Sequence, residues 1–315
     1  MNVNVTLPIP VRASLTDDPA EILAFAADTM ESGEHVALAT LIEVRGGAAR
    51  ALGSHVAVAS DGRFCGYVSG GCVEAAVASE ALHAMAARED RTVKFGTDSP
   101  FFDIVLPCGG GITVAIHLLR DAFPIRQVLL FLKMRQAGGL RYSPDQQALE
   151  YFRPRGPSRW MERDFVTVYP PSPRVLISGD SIEARAVASI GKAAGYEVFQ
   201  RGRDLKGVVP AVDAFTAVVL LHHDLDAEEP VLNEALNSPA FYIGALGSAR
   251  THAKRTERLR ATGWSIEQID RIKAPIGLFG PTRDSNSLAL SVMADVAASR
   301  LSMLKKASGI AWLSS

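Results

Sequence analysis

Residues 174–200 read RVLISGDSIEARAVASIGKAAGYEVFQ, and this stretch decides the fold of the C-terminal half. Its first five residues, 174–178, are mostly apolar and predict a buried strand. Residues 182–194 have helical spacing, Gly195 ends the helix, and residues 196–200 predict a second strand. A strand, a helix and a strand in this order are typical of a βαβ unit with parallel strands.

The alternation of strands and helices continues towards the end of the chain. Strands are predicted over residues 217–221 and 241–243, and helices over residues 228–236, 248–261 and 285–304, with a capping box from Ser265 to Gln268. Sheets built in this way are parallel and carry helices on both faces. The sequence therefore predicts a Rossmann-like, doubly wound parallel-sheet domain over residues 174–315.

The pattern before this domain mixes helices with hairpins. Asp61-Gly62 is a two-residue turn signal between two apolar runs and predicts a β-hairpin. The predicted elements are helices over residues 19–32 and 72–87, and strands over 35–44, 55–59, 63–68, 92–95 and 102–106. The predicted fold class is thus α/β, with a mixed α/β N-terminal domain over residues 1–152 that carries Cys/Gly loops.

Chain-breaking residues are densest between these two domains. Residues 153–173 contain Pro154, Gly156, Pro157, Pro170, Pro171 and Pro173. Such residues interrupt helices and strands. We therefore predict a proline-rich linker over residues 153–173, and a chain of 315 residues is long enough for the two domains that it would join.

Composition and charge exclude several classes of protein. Apolar residues make up 48% of the chain, and 33 basic against 34 acidic residues leave a net charge of -1. This balance gives no general reason to expect nucleic acid or an anionic membrane as a partner. No basic leader precedes an apolar run, and no segment approaches the roughly 18 uninterrupted apolar residues of a spanning helix. We therefore expect a cytoplasmic protein with no membrane partner.

The chain has three cysteines, Cys65, Cys72 and Cys108, which we expect to be reduced thiols. No CxxC or paired-histidine spacing accompanies them, so we predict no metal site. Two of them stand beside glycines at predicted strand ends, in Ser69-Gly70-Gly71-Cys72 and Cys108-Gly109-Gly110. If these loops converge, they form an amide-rich pocket for an anionic, sulfur-containing ligand. Tight turns with small buried cysteines are the competing interpretation.

A third candidate loop carries Arg45 and Arg50 between two predicted strands. Two guanidinium groups can clamp a phosphate or a carboxylate through paired hydrogen bonds. Exposed arginines without a ligand explain the loop equally well.

The predicted Rossmann domain offers two glycine loops. Gly179 and Ser181 stand where a dinucleotide fingerprint carries its first two glycines, so the fingerprint is degraded. Gly244 and Gly247 belong to a second strand-to-helix loop, whose amides can bind phosphate.

Two further features of this domain are polar. His222 and His223 follow a predicted strand and can relay protons; a metal site is the less favoured interpretation, because Asp224 is the single acidic neighbour. The predicted helix over residues 248–261 is basic and carries Arg250, Lys254, Arg255, Arg258 and Arg260. We interpret these cations as a solvated face, with a docking patch for an acidic partner as the alternative.

Together these stretches resemble the XdhC/CoxI family of molybdenum-enzyme accessory proteins. The most specific pieces are residues 61–74, Cys108-Gly109-Gly110, residues 242–248 and residues 274–278. The resemblance covers most of the chain and implies an N-terminal Cys/Gly domain followed by a Rossmann domain. It also implies that Cys72 and Cys108 match the family's motif cysteines and contact a bound cofactor.

The resemblance implies a maturation factor and no catalytic residue. Such a protein binds the molybdenum cofactor (molybdopterin), protects it during sulfuration, and delivers it to an apo-molybdoenzyme of the xanthine dehydrogenase or aldehyde oxidase type. A cysteine desulfurase is the implied sulfur donor, and a homodimer is left open. The candidate cofactor contacts are Arg45, Arg50, Ser69, Gly70, Gly71, Cys72, Cys108, Gly109, Gly110, Gly179, Ser181, Gly244 and Gly247.

Two other function classes remain as alternatives. An NAD(P)-dependent oxidoreductase would use the Gly179 loop, with His222 or His223 as general acid or base, and the degraded fingerprint counts against it. A scaffold protein would use the basic helix to tether two partners, which leaves the Cys/Gly loops without a purpose.

Overall fold

The computed structural model describes residues 7–47, 49–96, 110–154, 156–202 and 210–308. The chain forms two compact units, Met1–Pro171 and Ser172–Ser315.

The first unit combines two β-sheets with helices. Its described elements are β1 (Val11–Ser14), α1 (Pro19–Glu31), β2 (Val36–Arg45), β3 (His55–Ala59), β4 (Arg63–Gly66), α2 (Glu74–Ala87), β5 (Arg91–Gly96), β6 (Gly111–Leu118), α3 (Phe123–Lys133), β7 (Gly138–Ser143), β8 (Ala148–Phe152), β9 (Arg159–Met161) and β10 (Asp164–Tyr169). The strand orders are β1-β4-β3-β2-β6-β5 in one sheet and β8-β7-β10-β9 in the other. The mixed α/β N-terminal fold is as the sequence predicted.

Local signals explain the predicted elements that form. The Asp18 side chain caps α1 by accepting a hydrogen bond of 2.8 Å from the amide of Ala20, and Pro19 occupies the first turn. The hairpin of β3 and β4 turns at Asp61-Gly62, where Gly62 has a φ of +92° that suits glycine.

Strand β2 is buried on both faces, which places the first sheet between two layers. Ala37, Ala39 and Leu41 pack under α2, whereas Val36 and Leu38 pack towards α1 and α3. Because side chains alternate across a strand, a run of apolar residues fills both layers at once. The second sheet meets the same core through Leu140 and Tyr169.

The prediction of a linker over residues 153–173 is wrong for most of that range. Strands β9 and β10 lie within it, and β10 pairs antiparallel with both β9 and β7. The prolines flank these strands rather than interrupt them, so the ladder keeps its amide donors. The boundary between the two units falls after Pro171.

The second unit is built on a parallel sheet. Its described elements are β11 (Arg174–Ser178), α4 (Ile182–Ala193), β12 (Glu197–Arg201), β13 (Thr216–Leu220), α5 (Leu225–Leu236), β14 (Tyr242–Ala245), α6 (Ala249–Ala261), α7 (Ile266–Ile269), β15 (Ile272–Lys273) and α8 (Ser285–Ser308). The strand order is β12-β11-β13-β14-β15, and every pair in it is parallel. The Rossmann-like prediction is confirmed, as is the capping box of Ser265 and Gln268.

Helices cover both faces of this sheet. One face packs against α4 and α8, and the other against α5 and α6. The stretch Ser285–Lys305 of α8 is long and apolar enough to cross a membrane by length and composition alone. However, Val292, Met293 and Val296 of this stretch are core residues, and the carboxylate of Asp295 is buried beside them. One side of this helix therefore packs into the core of the second unit.

Candidate functional site

Three loops of the first unit meet at one end of its first sheet. Arg45, the last residue of β2, pairs with Gly111, the first residue of β6. A Cβ on Gly110 would lie 2.3 Å from the carbonyl oxygen of Arg45, so the two backbones are in direct contact. The Ala49 side chain lies 3.8 Å from the position of a Cβ on Gly70, which brings the loop after β4 to the same place. Cys108 and Gly109 lie outside the described residues, and Gly110 follows them in this cluster.

The loop from Ser69 to Val73 combines a buried frame with an exposed tip. Gly70, Gly71 and Cys72 are exposed, whereas Ser69 and Val73 are buried. Gly71 has a φ of +111°, a left-handed conformation that favours glycine. The loop therefore presents the Cys72 thiol and two glycines to solvent.

The carboxylate of Glu74 holds this frame in place. Glu74 is the first residue of α2 and is fully buried. Its carboxylate accepts hydrogen bonds from the amides of Val68 (3.1 Å), Ser69 (2.8 Å) and Val73 (3.3 Å). It also lies 3.0 Å and 3.2 Å from the hydroxyl oxygen of Ser69. Such a network is rigid because each buried polar group has a partner.

The position of the Glu74 carboxylate affects anion binding at the N-terminus of α2. A helix N-terminus attracts an anion, and the sequence pointed to a ligand phosphate or the Cys72 thiolate for that role. In the structure, the carboxylate of Glu74 is already there. Among the described residues, no acceptor takes a hydrogen bond from the amides of Gly70 and Cys72, and both residues are exposed.

Ser69 connects Glu74 to the exposed tip. Its hydroxyl oxygen accepts a hydrogen bond of 3.3 Å from the amide of Gly71 and lies 3.5 Å from the sulfur of Cys72. Glu74, Ser69 and Cys72 therefore form a continuous chain from the core to the surface.

The two candidate arginines have different surroundings. Nη1 of Arg50 is 2.6 Å from Asp17, and its Nε donates to the carbonyl oxygen of Ser69 at 3.3 Å. Nη1 of Arg45 donates instead to Glu43 (2.6 Å) and Thr113 (2.7 Å) along the sheet. Arg50 thus borders the Cys72 loop, while Arg45 braces the strand ends.

Cys65 has a different environment from Cys72. It lies in β4 and is buried in the core. Burial raises the pKa of the Cys65 thiol to about 11, and a hydrogen bond with Ser14 opposes part of the shift. A thiol in this position is a packing residue.

The second unit places Gly179 and Ser181 at the carboxyl end of β11. Gly179 has a φ of +137°, and a Cβ there would lie 2.8 Å from the carbonyl oxygen of Leu221. The Ser181 hydroxyl caps α4 by accepting from the amide of Ala184 at 3.3 Å. Beneath them, the Ser178 hydroxyl lies 2.7 Å from Nε2 of His222, and both side chains are buried.

Gly244 does not belong to a phosphate loop. It lies inside β14, paired with Val219 and Lys273. A Cβ on Gly244 would lie 2.5 Å from the ring of Tyr242 and 2.7 Å from Ile276, so the glycine makes room for packing. Gly247, with a φ of +130°, does lie in the loop before α6, and the Ser248 side chain caps that helix.

The basic helix α6 is not solvated along its whole length, because Arg255 is buried. Its guanidinium forms an ion pair with the buried carboxylate of Glu228, at 2.9 Å from Nη2 to Oε2, and donates to the carbonyl oxygen of Leu246 at 2.8 Å. Arg250, Lys254 and Arg260 remain exposed.

Sequence patterns missed Glu74 as a site residue. Its signal was present, since an acidic residue stands two positions after the Ser-Gly-Gly-Cys stretch, near the start of the predicted helix. An acidic residue in the first turn interacts favourably with the positive end of the helix dipole.

The fold defines a two-unit α/β protein with a Cys/Gly loop in the first unit and a Rossmann domain in the second. Residues 29–96 match the family model described as the XdhC and CoxI family, and residues 175–296 match the XdhC Rossmann domain. The chain belongs to the XdhC/CoxI family, as the motifs predicted.

Relatives and solved structures extend this match over most of the chain. The chain is 48% identical over 292 residues to the molybdenum cofactor insertion chaperone PaoD of Escherichia coli (strain K12), covering 93% of this chain and 92% of that protein. It is 25% identical over 283 residues to the uncharacterized protein YqeB of the same organism, covering 87% of this chain and 45% of YqeB. A crystal structure described as a xanthine dehydrogenase from Bacillus halodurans superimposes with a TM-score of 0.69 at 18% identity, covering 90% of this chain and 96% of that one. At that identity the likeness shows the fold alone.

Proposed function

We propose that this protein binds the molybdenum cofactor as cargo during the maturation of a molybdoenzyme. The 48% identity to a molybdenum cofactor insertion chaperone supports this class of function. The observation that carries the proposal is the loop itself. An exposed Cys72 stands on a frame fixed by Glu74, where the amides of Gly70 and Cys72 donate to no acceptor within the part of the chain that the structure describes.

The loop offers the groups that such a cargo needs. Its phosphate would accept hydrogen bonds from the amides of Gly70 and Cys72, with the Arg50 guanidinium at the border of the loop. The Cys72 thiol would meet the sulfur-bearing end of the cargo. In the first unit, Gly71 remains a candidate contact, as do Cys108 and Gly109, which lie outside the described residues. In the second unit, Gly179, Ser181 and Gly247 remain candidate anion contacts of that unit by itself.

The remaining steps of the proposal concern partners. The protein would protect the cofactor while its terminal sulfur ligand is installed, with a cysteine desulfurase as the sulfur donor. It would then deliver the cofactor to an apo-enzyme of the xanthine dehydrogenase type in the cytoplasm. In this role the protein is a chaperone, and the chemistry belongs to its partners.

Equilibrium binding of purified molybdenum cofactor under anaerobic conditions tests the proposal. We expect the wild-type protein to bind the cofactor and Cys72→Ala to bind it at least about tenfold more weakly. Cys65→Ala is the matched control, because that thiol is buried in the core, and it should bind as the wild type does.

NAD(P) is titrated in parallel to test the oxidoreductase alternative. Clear NAD(P) affinity with no cofactor binding would overturn the chaperone proposal in favour of that alternative. Equal cofactor affinity of the wild type and Cys72→Ala would remove Cys72 from the site.

A further inference from the structure

The direction of each hydrogen bond around Ser69 can be deduced by counting hydrogens. The Ser69 hydroxyl has one hydrogen and four neighbouring polar atoms: the two oxygens of Glu74, the amide of Gly71 and the sulfur of Cys72. A hydroxyl donates once and accepts twice. At most one of these neighbours therefore receives its hydrogen.

Glu74 is the neighbour that receives it. Its carboxylate already accepts hydrogen bonds from the amides of Val68, Ser69 and Val73, so it acts as an ionised acceptor. A hydroxyl hydrogen bond to a carboxylate is charge-assisted and outweighs one to neutral sulfur. The lone pairs of the Ser69 oxygen then face the N–H of Gly71 and the sulfur of Cys72.

The sulfur of Cys72 must accordingly be the donor in its contact with Ser69. A thiol S–H can fill that role, while a thiolate would face an oxygen that has no hydrogen to offer.

We propose that Cys72 engages its ligand as a neutral thiol that donates a hydrogen bond, with Glu74 acting as a positioning residue through Ser69. In the protein without ligand, the S–H points to Ser69. On binding, an anionic oxygen or sulfur atom of the ligand takes over as the acceptor. This inference rests on the proposed function and assigns Cys72 neither metal ligation nor transport of a sulfur atom.

Two substitutions of Cys72 separate these roles, because serine keeps a donor but lacks a soft sulfur ligand. We expect Cys72→Ser to bind purified molybdenum cofactor within about threefold of the wild type, and Cys72→Ala to bind at least about tenfold more weakly. Equally weak binding by both variants would overturn the inference and leave the proposed function standing. A wild type that does not bind the cofactor would overturn the proposed function itself.

A measurement without cofactor tests the Ser69 contact directly. Mass spectrometry follows the alkylation of Cys72 by iodoacetamide near neutral pH, with the buried Cys65 as the internal control for intact folding. We expect Ser69→Ala to react at least about threefold faster than the wild type, because the thiol loses its acceptor, and Ser69→Thr to restore the wild-type rate. An unchanged or slower rate in Ser69→Ala, with Cys65 still protected, would overturn the inference.

Discussion

Nε2 of His55 lies 2.5 Å from the hydroxyl oxygen of Tyr169, and this contact joins the two sheets of the first unit. His55 belongs to β3 and Tyr169 ends β10, and both side chains are buried. The other ring nitrogen of His55 lies 3.0 Å from the Thr40 hydroxyl. The imidazole is therefore satisfied on both sides by uncharged partners.

We expect the stability of the first unit to fall as the pH drops below the ordinary range of histidine. Burial lowers the pKa of His55 from 6.5 to about 4, and a backbone hydrogen bond with Ala39 opposes part of the shift. Between pH 6.5 and about 4, His55 is protonated in the unfolded chain but not in the folded chain. The free energy of unfolding therefore decreases as the pH falls through this range. The full loss is about 3 kcal/mol, to be measured by urea unfolding across this pH range.

His55→Gln should remove that component of the pH dependence. Its stability will be lower at neutral pH, but the difference from the wild type should shrink as the pH falls towards 4. His83→Gln replaces an exposed histidine and should leave the wild-type profile unchanged. A constant difference between His55→Gln and the wild type at every pH would contradict this assignment.

Because the ion pair of Arg255 and Glu228 is buried, we expect the removal of only one partner to lower the stability of the second unit strongly. Arg255→Met leaves the Glu228 carboxylate buried without its cation, and we expect a loss of about 3–5 kcal/mol in the free energy of unfolding. Lys254→Met is the matched control on the exposed side of the same helix, with a change within about 0.5 kcal/mol. Adding Glu228→Leu to Arg255→Met should recover most of the loss; a double variant as unstable as the single one would refute this account.

Gly244 should not tolerate a methyl group. In Gly244→Ala the new Cβ would approach the Tyr242 ring at 2.5 Å, and that ring cannot move freely because its hydroxyl donates to Asp295 at 2.8 Å. We expect a cost of about 1–3 kcal/mol, measured by urea unfolding. At Gly70, where the nearest atom would be 3.8 Å away, the same substitution should cost less than about 0.5 kcal/mol. Equal losses in the free energy of unfolding for Gly244→Ala and Gly70→Ala would show that steric crowding is not the reason for glycine at position 244.

The two arginines of the N-terminal loop should contribute unequally to cargo binding. Arg50 contacts the carbonyl oxygen of Ser69, while Arg45 is engaged by Glu43 and Thr113. We therefore expect Arg50→Gln to weaken binding of the molybdenum cofactor about tenfold and Arg45→Gln to change it less than about threefold. A larger loss in Arg45→Gln would move the anion site towards the strand ends.

Local patterns predicted the elements that carry their own signals. Asp61-Gly62 fixed a hairpin, Ser265 and Gln268 formed their capping box, and the strand and helix spacing from residue 174 onward gave the parallel sheet. In each case the deciding residues are neighbours in the sequence.

Pairings between segments that are far apart in the sequence could not be predicted from such local patterns. Strand β10 forms because it pairs with β7, and the prolines on either side of it suggested a linker instead. The sequences of both helices nevertheless contain a signal for the ion pair of Arg255 and Glu228. Glu228 precedes the buried Val231 by three positions, and Arg255 precedes the buried Leu259 by four, so each charge lies in an apolar stripe. Opposite charges in two such stripes are a signal that could have identified the pair.

The carboxylate of Glu74 bears on how fast a ligand can leave. Residues 68–73 are held by an anion that belongs to the chain, so their shape does not depend on an anion supplied from outside. A departing ligand breaks its own contacts with exposed residues and leaves the frame intact. Its residence time is therefore set by the number of those contacts, and removing one of them should shorten it without slowing the next association.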